Sequence, residues 1–307
     1  MDVHHHFIIS RIDVGVGLPV EVIPGFTLKK PDSALIQKIK QKLRLFDAMG
    51  FANSAYEGEY IGEGERQYQI VPLHPDRWRY WVIESDGSND ISLLKLAAAL
   101  LKNELLLPFT LITKPNGEGF SWHHGIMSNT FNRAKFFATR VPTFGDEDLQ
   151  QLRQTYTLLV TGASACPKAV KAADRFFSLK SFPESSEFMV IGLFSVLESL
   201  ITHAPELTEP MDSLNHQVKT KMSLLSKRFS QPLDYDFFFG SGDVSSIWGR
   251  LYEYRSKIAH GDDADFQKKL KLLRNPENAT SFLKEAAKLL ILCALREPQL
   301  ISDLKQC

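Results

Sequence analysis

Cysteine is scarce in this chain: three in 307 residues, Cys166, Cys293 and Cys307, with no Cys-x-x-Cys pair. An odd, scattered set argues against a disulfide framework and points to a reducing compartment. Net charge is absent as well, because 36 lysines and arginines balance 36 aspartates and glutamates. That balance argues against a chain-wide basic surface for duplex nucleic acid, though a local basic cleft is compatible with it. It also does little to oppose self-association. Long apolar runs are missing: the two longest, around 93–107 and 188–201, are broken by Lys95, Lys102, Asn103 and Glu104, or by Glu198. Neither reaches the ~20 residues of a membrane span. The opening Met1-Asp-Val-His-His-His lacks the basic-then-apolar layout of a signal peptide. There is no internal repeat and no low-complexity tract. These absences lead to the expectation of a cytoplasmic protein that does not enter membranes.

What is present is an ordinary globular composition, 44% apolar and 23% charged, in a chain long enough for two domains. The first part mixes strand and helix patterns. Strands are predicted over 7–14, 20–23, 68–73, 79–84 and 109–113, the last closed by a Lys114-Pro-Asn-Gly117 turn. Helices are predicted over 33–46, capped by Asp32 or Ser33, and over about 91–106, capped by Asp90. After Pro142-Thr-Phe-Gly145 the pattern turns helical: about 146–160, 167–180, 186–203, 212–229, 244–260 and 278–296. The expected organisation is an α+β domain over 1–143, with a sensing or regulatory role, followed by an all-α helical-bundle domain over 144–307.

The richest segment is Tyr252-Glu-Tyr-Arg-Ser-Lys-Ile-Ala-His-Gly261. On the 244–260 helix, Ile247, Leu251, Tyr254 and Ile258 form the core stripe, and Trp248, Tyr252, Arg255 and Ala259 the adjoining one. Arg255 therefore sits at the edge of the buried face, where its stem can pack and its head can be aimed. His260 follows five residues later, about 140° round the helix and ~7.5 Å along it. The two share no face of a straight helix, whereas Ser256 and His260, at i and i+4, do. Arg255 and His260 can cooperate if the arginine reaches round, if the helix end bends, or if a second subunit supplies one of them. Gly261 is a natural helix stop. Arginine suits a bidentate grip on phosphate, and histidine suits proton transfer near neutrality. RNA carries its own nucleophile, the 2′-hydroxyl, so such a site could cleave it without metal.

These residues resemble the HEPN superfamily, in particular its Apea-like branch. Three segments carry the resemblance: the apolar helix 188–201 bearing Glu198, the helix 214–229, and Leu251–Gly261 with its Arg-Ser-x-x-x-His-Gly signature. Together they span about residues 150–300. The resemblance implies a dimeric helical bundle and, in many members, a metal- and cofactor-independent endoribonuclease whose Arg-x4–6-His site is composed from two protomers. By carry-over, Arg255 would hold the scissile phosphate, His260 would move the proton and Ser256 would assist. Lys257 and Tyr252 would contact substrate. The products would be a 2′,3′-cyclic phosphate and a 5′-hydroxyl. The resemblance further implies a homodimer acting on RNA in anti-phage defence or a toxin–antitoxin pair, with an antitoxin or defence-system partner. Other members are non-catalytic dimerisation, RNA-binding or protein-binding modules, and that alternative stays open.

Glu198 falls on the stripe Ile191, Phe194, Glu198, Ile201. A carboxylate among apolar neighbours needs a partner. Arg255 is the partner that would orient the guanidinium; Lys257 or a backbone donor is the alternative. His4, His5 and His6, or His123 with His124, make poor chelates because adjacent residues on a strand point to opposite faces, so no metal is expected. The segment 58–64 is glycine-rich but acidic and lacks a phosphate-binding Gly-Lys-Ser/Thr. Arg77, Trp78, Arg79, Tyr80 and Trp81 could stack on single-stranded bases or simply pack a strand. Lys219, Lys221, Lys227 and Arg228 could line an RNA groove or form a solvated helix face.

Overall fold

Alternating β-branched and aromatic residues make the first unit a sheet. The computed structural model describes residues 2–44, 55–61, 67–123, 125–126, 141–205 and 213–306. The chain divides into two compact units, residues 1–157 and 158–307. In the first, β1 (Val3–Ile8), β2 (Asp13–Val14), β3 (Val20–Ile23) and β4 (Phe26–Lys29) precede helix α1 (Ser33–Arg44). Then come β5 (Tyr56–Ile61), β6 (Gln67–Pro72), β7 (Trp81–Ser85), α2 (Ser92–Ala99), β8 (Phe109–Lys114), β9 (Gly117–Trp122) and β10 (Thr143–Phe144). Six strands form one sheet in the order β3-β4-β7-β1-β8-β9, and every neighbouring pair in it is antiparallel.

Local chemistry accounts for several boundaries. Asp32 accepts the Leu35 N–H at 2.7 Å and starts α1. That helix lays Leu35, Ile36 and Ile39 against Phe7, Val82, Phe109 and Leu111; the positions predicted at 45 and 46 lie outside the described residues. Pro24-Gly25 does more than end β3. With φ of 83° at Gly25, a conformation that side chains resist, the chain turns straight back into β4, which the sequence reading does not contain. Residues 58–61 of the acidic glycine-rich segment lie in β5, which pairs antiparallel with β6; 62–64 lie outside the described residues.

Helix α2 stops at Ala99, seven residues short of the predicted end. Leu105, Leu106 and Leu107 remain buried, but as extended chain: Leu106 N–H donates to Ser10 Oγ, and Ile9 N–H to the Leu106 carbonyl. Pairing with β1's exit outweighs helical propensity there.

The histidines of β1 alternate between faces. His5 approaches Glu84 at 3.0 Å, and Glu84 also pairs with Lys29. His6, 2% exposed, is held between Thr110 Oγ1 at 2.9 Å and Ser85 Oγ at 3.2 Å. Burial first, then Lys95 and the neighbouring histidines, push its imidazole down to about 3. Among the described residues, no group of three histidines, cysteines or carboxylates could hold a metal ion; His124 is outside them.

The second unit is helical. Helix α3 (Asp146–Ala165) crosses the division between the units. Its first turns belong with the sheet, since Arg153 donates to the carbonyls of Glu21 and Val22. Then follow α4 (Pro167–Ser178), α5 (Phe188–Ile201), α6 (Leu214–Leu225), α7 (Tyr235–Phe239), α8 (Val244–His260), α9 (Pro276–Arg296) and α10 (Pro298–Gln306). Ser213, Asp234, Asp243 and Asn275 each accept a first-turn N–H and so start α6 to α9. Helix α9 is buried all round from Leu289 to Leu295. Near its start Phe282 gathers Tyr235, Phe238, Phe239 and Trp248, with ring centroids 4.8–5.6 Å away. The sequence reading contains neither α7, whose five residues are too few to show a period, nor the nine-residue α10, which is amphipathic. Among the described residues no helix is long and apolar enough to cross a membrane.

The His6 arrangement makes the first unit sensitive to acid. The unfolded chain takes up a proton near pH 6.5, whereas the folded sheet does so only near 3. Stability from this residue is therefore full above pH 6.5 and is lost as pH falls through that window. Between pH 7 and pH 5 the loss should be about 2 kcal/mol. Protection of the β1, β7 and β8 amides against hydrogen exchange should fall accordingly. His6→Gln, which cannot protonate, should flatten the slope; equal slopes would show that the folded sheet protonates His6 readily.

Candidate functional site

Helix α8 carries the signature segment and is defined at both ends. Asp243 Oδ2 accepts the Ser246 N–H at 2.8 Å and fixes its start. At the other end Gly261 takes a left-handed conformation, φ 75° and ψ 22°. Its N–H bonds the Ile258 carbonyl at 3.2 Å, and the Asp262 N–H bonds the Lys257 carbonyl at 2.9 Å. This is the Schellman closure, which leaves His260 as the last helical residue. Ile247, Trp248, Leu251 and Tyr254 are buried, while Ile258 is only half-buried. The core stripe thus fades towards the C-terminal end, where the polar residues emerge.

Arg255 and Glu198 face each other across α8 and α5. Arg255 Nη2 lies 3.7 Å from Glu198 Oε2, with the two side chains 26% and 16% exposed. The distance is that of an ion pair and too long for a hydrogen bond. Arg255 Nε and Glu198 Oε1 are both buried and have no hydrogen-bond partner. Burial pushes the Glu198 carboxyl above its ordinary value, and the Arg255 charge only partly offsets this. The Tyr252 ring lies under the guanidinium, 5.6 Å from Arg255 Cζ, and packs edge-on against Phe194 at 5.7 Å. Phe194, one turn before Glu198 on α5 and fully buried, thus sets Tyr252, which in turn supports Arg255. Its place on the Glu198 stripe was the sequence signal for this supporting role.

His260 is exposed at the helix tip, and Ser256, one turn earlier on the same face, is half-buried. Among the described residues no hydrogen bond or ion pair joins Arg255 to His260. Helix α8 is continuous to His260, so its end does not bend the two together. Arg255 does not reach round either, being turned towards Glu198. Lys257 donates from Nζ to the Asp263 carbonyl at 3.1 Å, tying down the chain that leaves the helix. One chain therefore presents a held guanidinium and a separate, accessible imidazole. A phosphate could meet the exposed part of the Arg255 side chain, which is 26% accessible, and His260 could exchange protons with a substrate at the surface.

The other candidates resolve mostly as packing. Trp81 Nε1 donates to the Ile12 carbonyl at 2.9 Å, and Arg79 Nε to Asp13 Oδ1 at 2.7 Å. Tyr80 is 2% exposed, and Lys40 Nζ sits 4.0 Å above the half-buried Trp78 ring. Only Arg77 of that group is exposed, so it forms no platform for bases. Lys221 is buried, and Arg228 pairs with Glu297 at 3.1 Å, so 219–228 presents no continuous basic groove. A scan of family models and searches of curated proteins and of solved structures return no match to this chain.

The raised Glu198 carboxyl has a measurable consequence. As pH rises through the carboxylate range, the unfolded chain loses its proton before the folded one, so the folded state is penalised. The contribution of Glu198 is full at low pH and is lost above its raised value. Glu198→Gln removes this effect. Its unfolding free energy should match wild type most closely near pH 4 and gain on it by pH 7. Urea unfolding at both pH values checks this; a difference that does not change with pH would show that Arg255 fully neutralises the carboxylate.

Proposed function

We propose that the helical unit is a HEPN-like module and that the protein is a metal-independent endoribonuclease acting as a homodimer. The observation that carries this reading is the Arg255 environment: a partly exposed guanidinium held at the bundle edge by Glu198 and Tyr252, five residues before an exposed imidazole. In this reading two copies of α8 meet about a twofold axis, so that His260 of one serves the phosphate gripped by Arg255 of the other. Arg255 neutralises the scissile phosphate. His260 takes the 2′-hydroxyl proton and returns one to the 5′-oxygen as that bond breaks. The ends are a 2′,3′-cyclic phosphate and a 5′-hydroxyl. Ser256, on the His260 face, contacts the same phosphate, and Tyr252 orients the arginine. The protein would then be an effector of prokaryotic defence or of a toxin–antitoxin pair, with residues 1–143 sensing a trigger or restraining the nuclease.

The second reading is a non-catalytic binding module. It is favoured by the lack of any described contact between Arg255 and His260 within one chain. A cleavage assay on structured RNA in excess EDTA separates the two. Arg255→Ala and His260→Ala should each lower cleavage about 100-fold or more. His260 is exposed, so its loss should change unfolding free energy by no more than ~0.5 kcal/mol. RNA left intact by the wild-type dimer, or cut equally by wild type and both variants, would exclude this site as a nuclease.

A further inference from the structure

A second feature of the helical unit has no part in the nuclease reading. A cavity of about 710 Å³ opens between the α3–α4 junction, the C-terminal end of α5 and helix α10. Lys168 lines it from the start of α4, His203 from just beyond α5, and Lys305 from α10. Among the described residues, none that lines it is an aspartate or glutamate. In a chain with no net charge, such a one-signed wall is a local departure. Apolar side chains of Leu200 and Ile301 complete the wall. This mixture of apolar surface with a few convergent polar groups, at this volume, is the usual make-up of a small-molecule site.

The cations are placed by the fold. Lys305 donates from Nζ to the Ser199 carbonyl at 2.6 Å, which anchors α10 to α5 and fixes the ammonium in the wall. Burial, and then the positive charges of Lys168, Lys221 and Arg175, lower the Lys305 proton affinity from its ordinary value. Lysines crowded in this way are relieved by an anion. The backbone of His203 is pinned on both sides: its N–H donates to Gln217 Oε1 at 3.0 Å, and its carbonyl accepts from Gln217 Nε2. Cys166 and Pro167 begin α4 at the cavity, with no side chain capping that helix start.

We propose that this cavity binds a small organic phosphate, its phosphate between Lys168 and Lys305 and its carbon skeleton against Leu200 and Ile301. Compact lysine charges from two elements suit a tetrahedral dianion, and a cavity of about 710 Å³ with apolar walls has the size of a small-molecule site. The site is independent of Arg255 and His260.

The test is isothermal titration and thermal unfolding of the full chain with glucose 6-phosphate, pyrophosphate, glucose, citrate and a 5′-hydroxyl RNA decamer as probes. The phosphates should bind and raise the unfolding midpoint, while glucose should not. Lys168→Gln and Lys305→Gln should each weaken phosphate binding about tenfold, the effect of losing one charged hydrogen bond. Lys168 is exposed, so its substitution leaves the fold intact even if loss of the Lys305–Ser199 bond does not. Millimolar phosphate probes that fail to bind, or binding that Lys168→Gln leaves unchanged, would overturn the assignment. So would tighter binding of citrate or of the RNA decamer than of either phosphate probe.

Discussion

Glu198 sits where a carboxylate is costly. It projects from an apolar helix, is 16% exposed, and faces a single guanidinium 3.7 Å away. Taking a charge out of water costs several kcal/mol, and one ion pair repays that only when geometry and further hydrogen bonds are good. Here they are not: one oxygen of the acid and one nitrogen of the base lack partners. An apolar pair would fill this space at less expense in free energy. The ion pair instead fixes where Arg255 points, and with it the whole reading of the C-terminal site. Tyr252 and Phe194 complete the support, since the guanidinium rests on one ring and that ring on the other.

The helical scaffold makes this arrangement stiff. Helix α9, buried on all sides over two turns, leaves α5 and α8 to expose their polar edges around it. The aromatic cluster around Phe282 joins α7, α8 and α9, and the Trp248 Nε1 bond to the Tyr235 hydroxyl at 3.0 Å satisfies the indole within it. The Schellman stop at Gly261 ends α8 abruptly, so His260 is presented at a tip with a defined position rather than in a fraying coil. The same scaffold forms one wall of the lysine-lined cavity, because α10 is anchored back onto α5.

The sheet unit follows a different economy of polar groups. An inner strand of the sheet carries three consecutive histidines, and alternation sends His5 to the face where Glu84 pairs with Lys29 and His6 to the opposite, buried face. His6 is satisfied there as a neutral ring by two hydroxyls. Arg79 and Trp81 are likewise absorbed by Asp13 and by the Ile12 carbonyl. Residues that could have recognised nucleic acid are used to hold the fold. The Arg255, His260, Lys168 and Lys305 side chains on which the two proposals rest all belong to the helical unit.

Helix starts, the order of most elements and the change from mixed to helical structure were legible in the chain, because caps, glycines and a 3.6-residue period act over a few residues. So was the edge position of Arg255, and with it the suggestion that Glu198 would be its partner. Three kinds of feature were not legible. The Leu105–Leu107 run reads as helix and is extended, because its alternative partner, β1's exit, is nearly a hundred residues away in sequence. Short elements such as β4 and α7 carry no period and exist through their neighbours. The approach of Lys305 to Ser199, 106 residues apart, could come only from helix packing. Local pattern determined which segments become helices and strands, and which side chains sit at their edges. Tertiary structure decided which of those edges meet, because hydrocarbon burial is non-directional and only the assembled core sets what each charge must face.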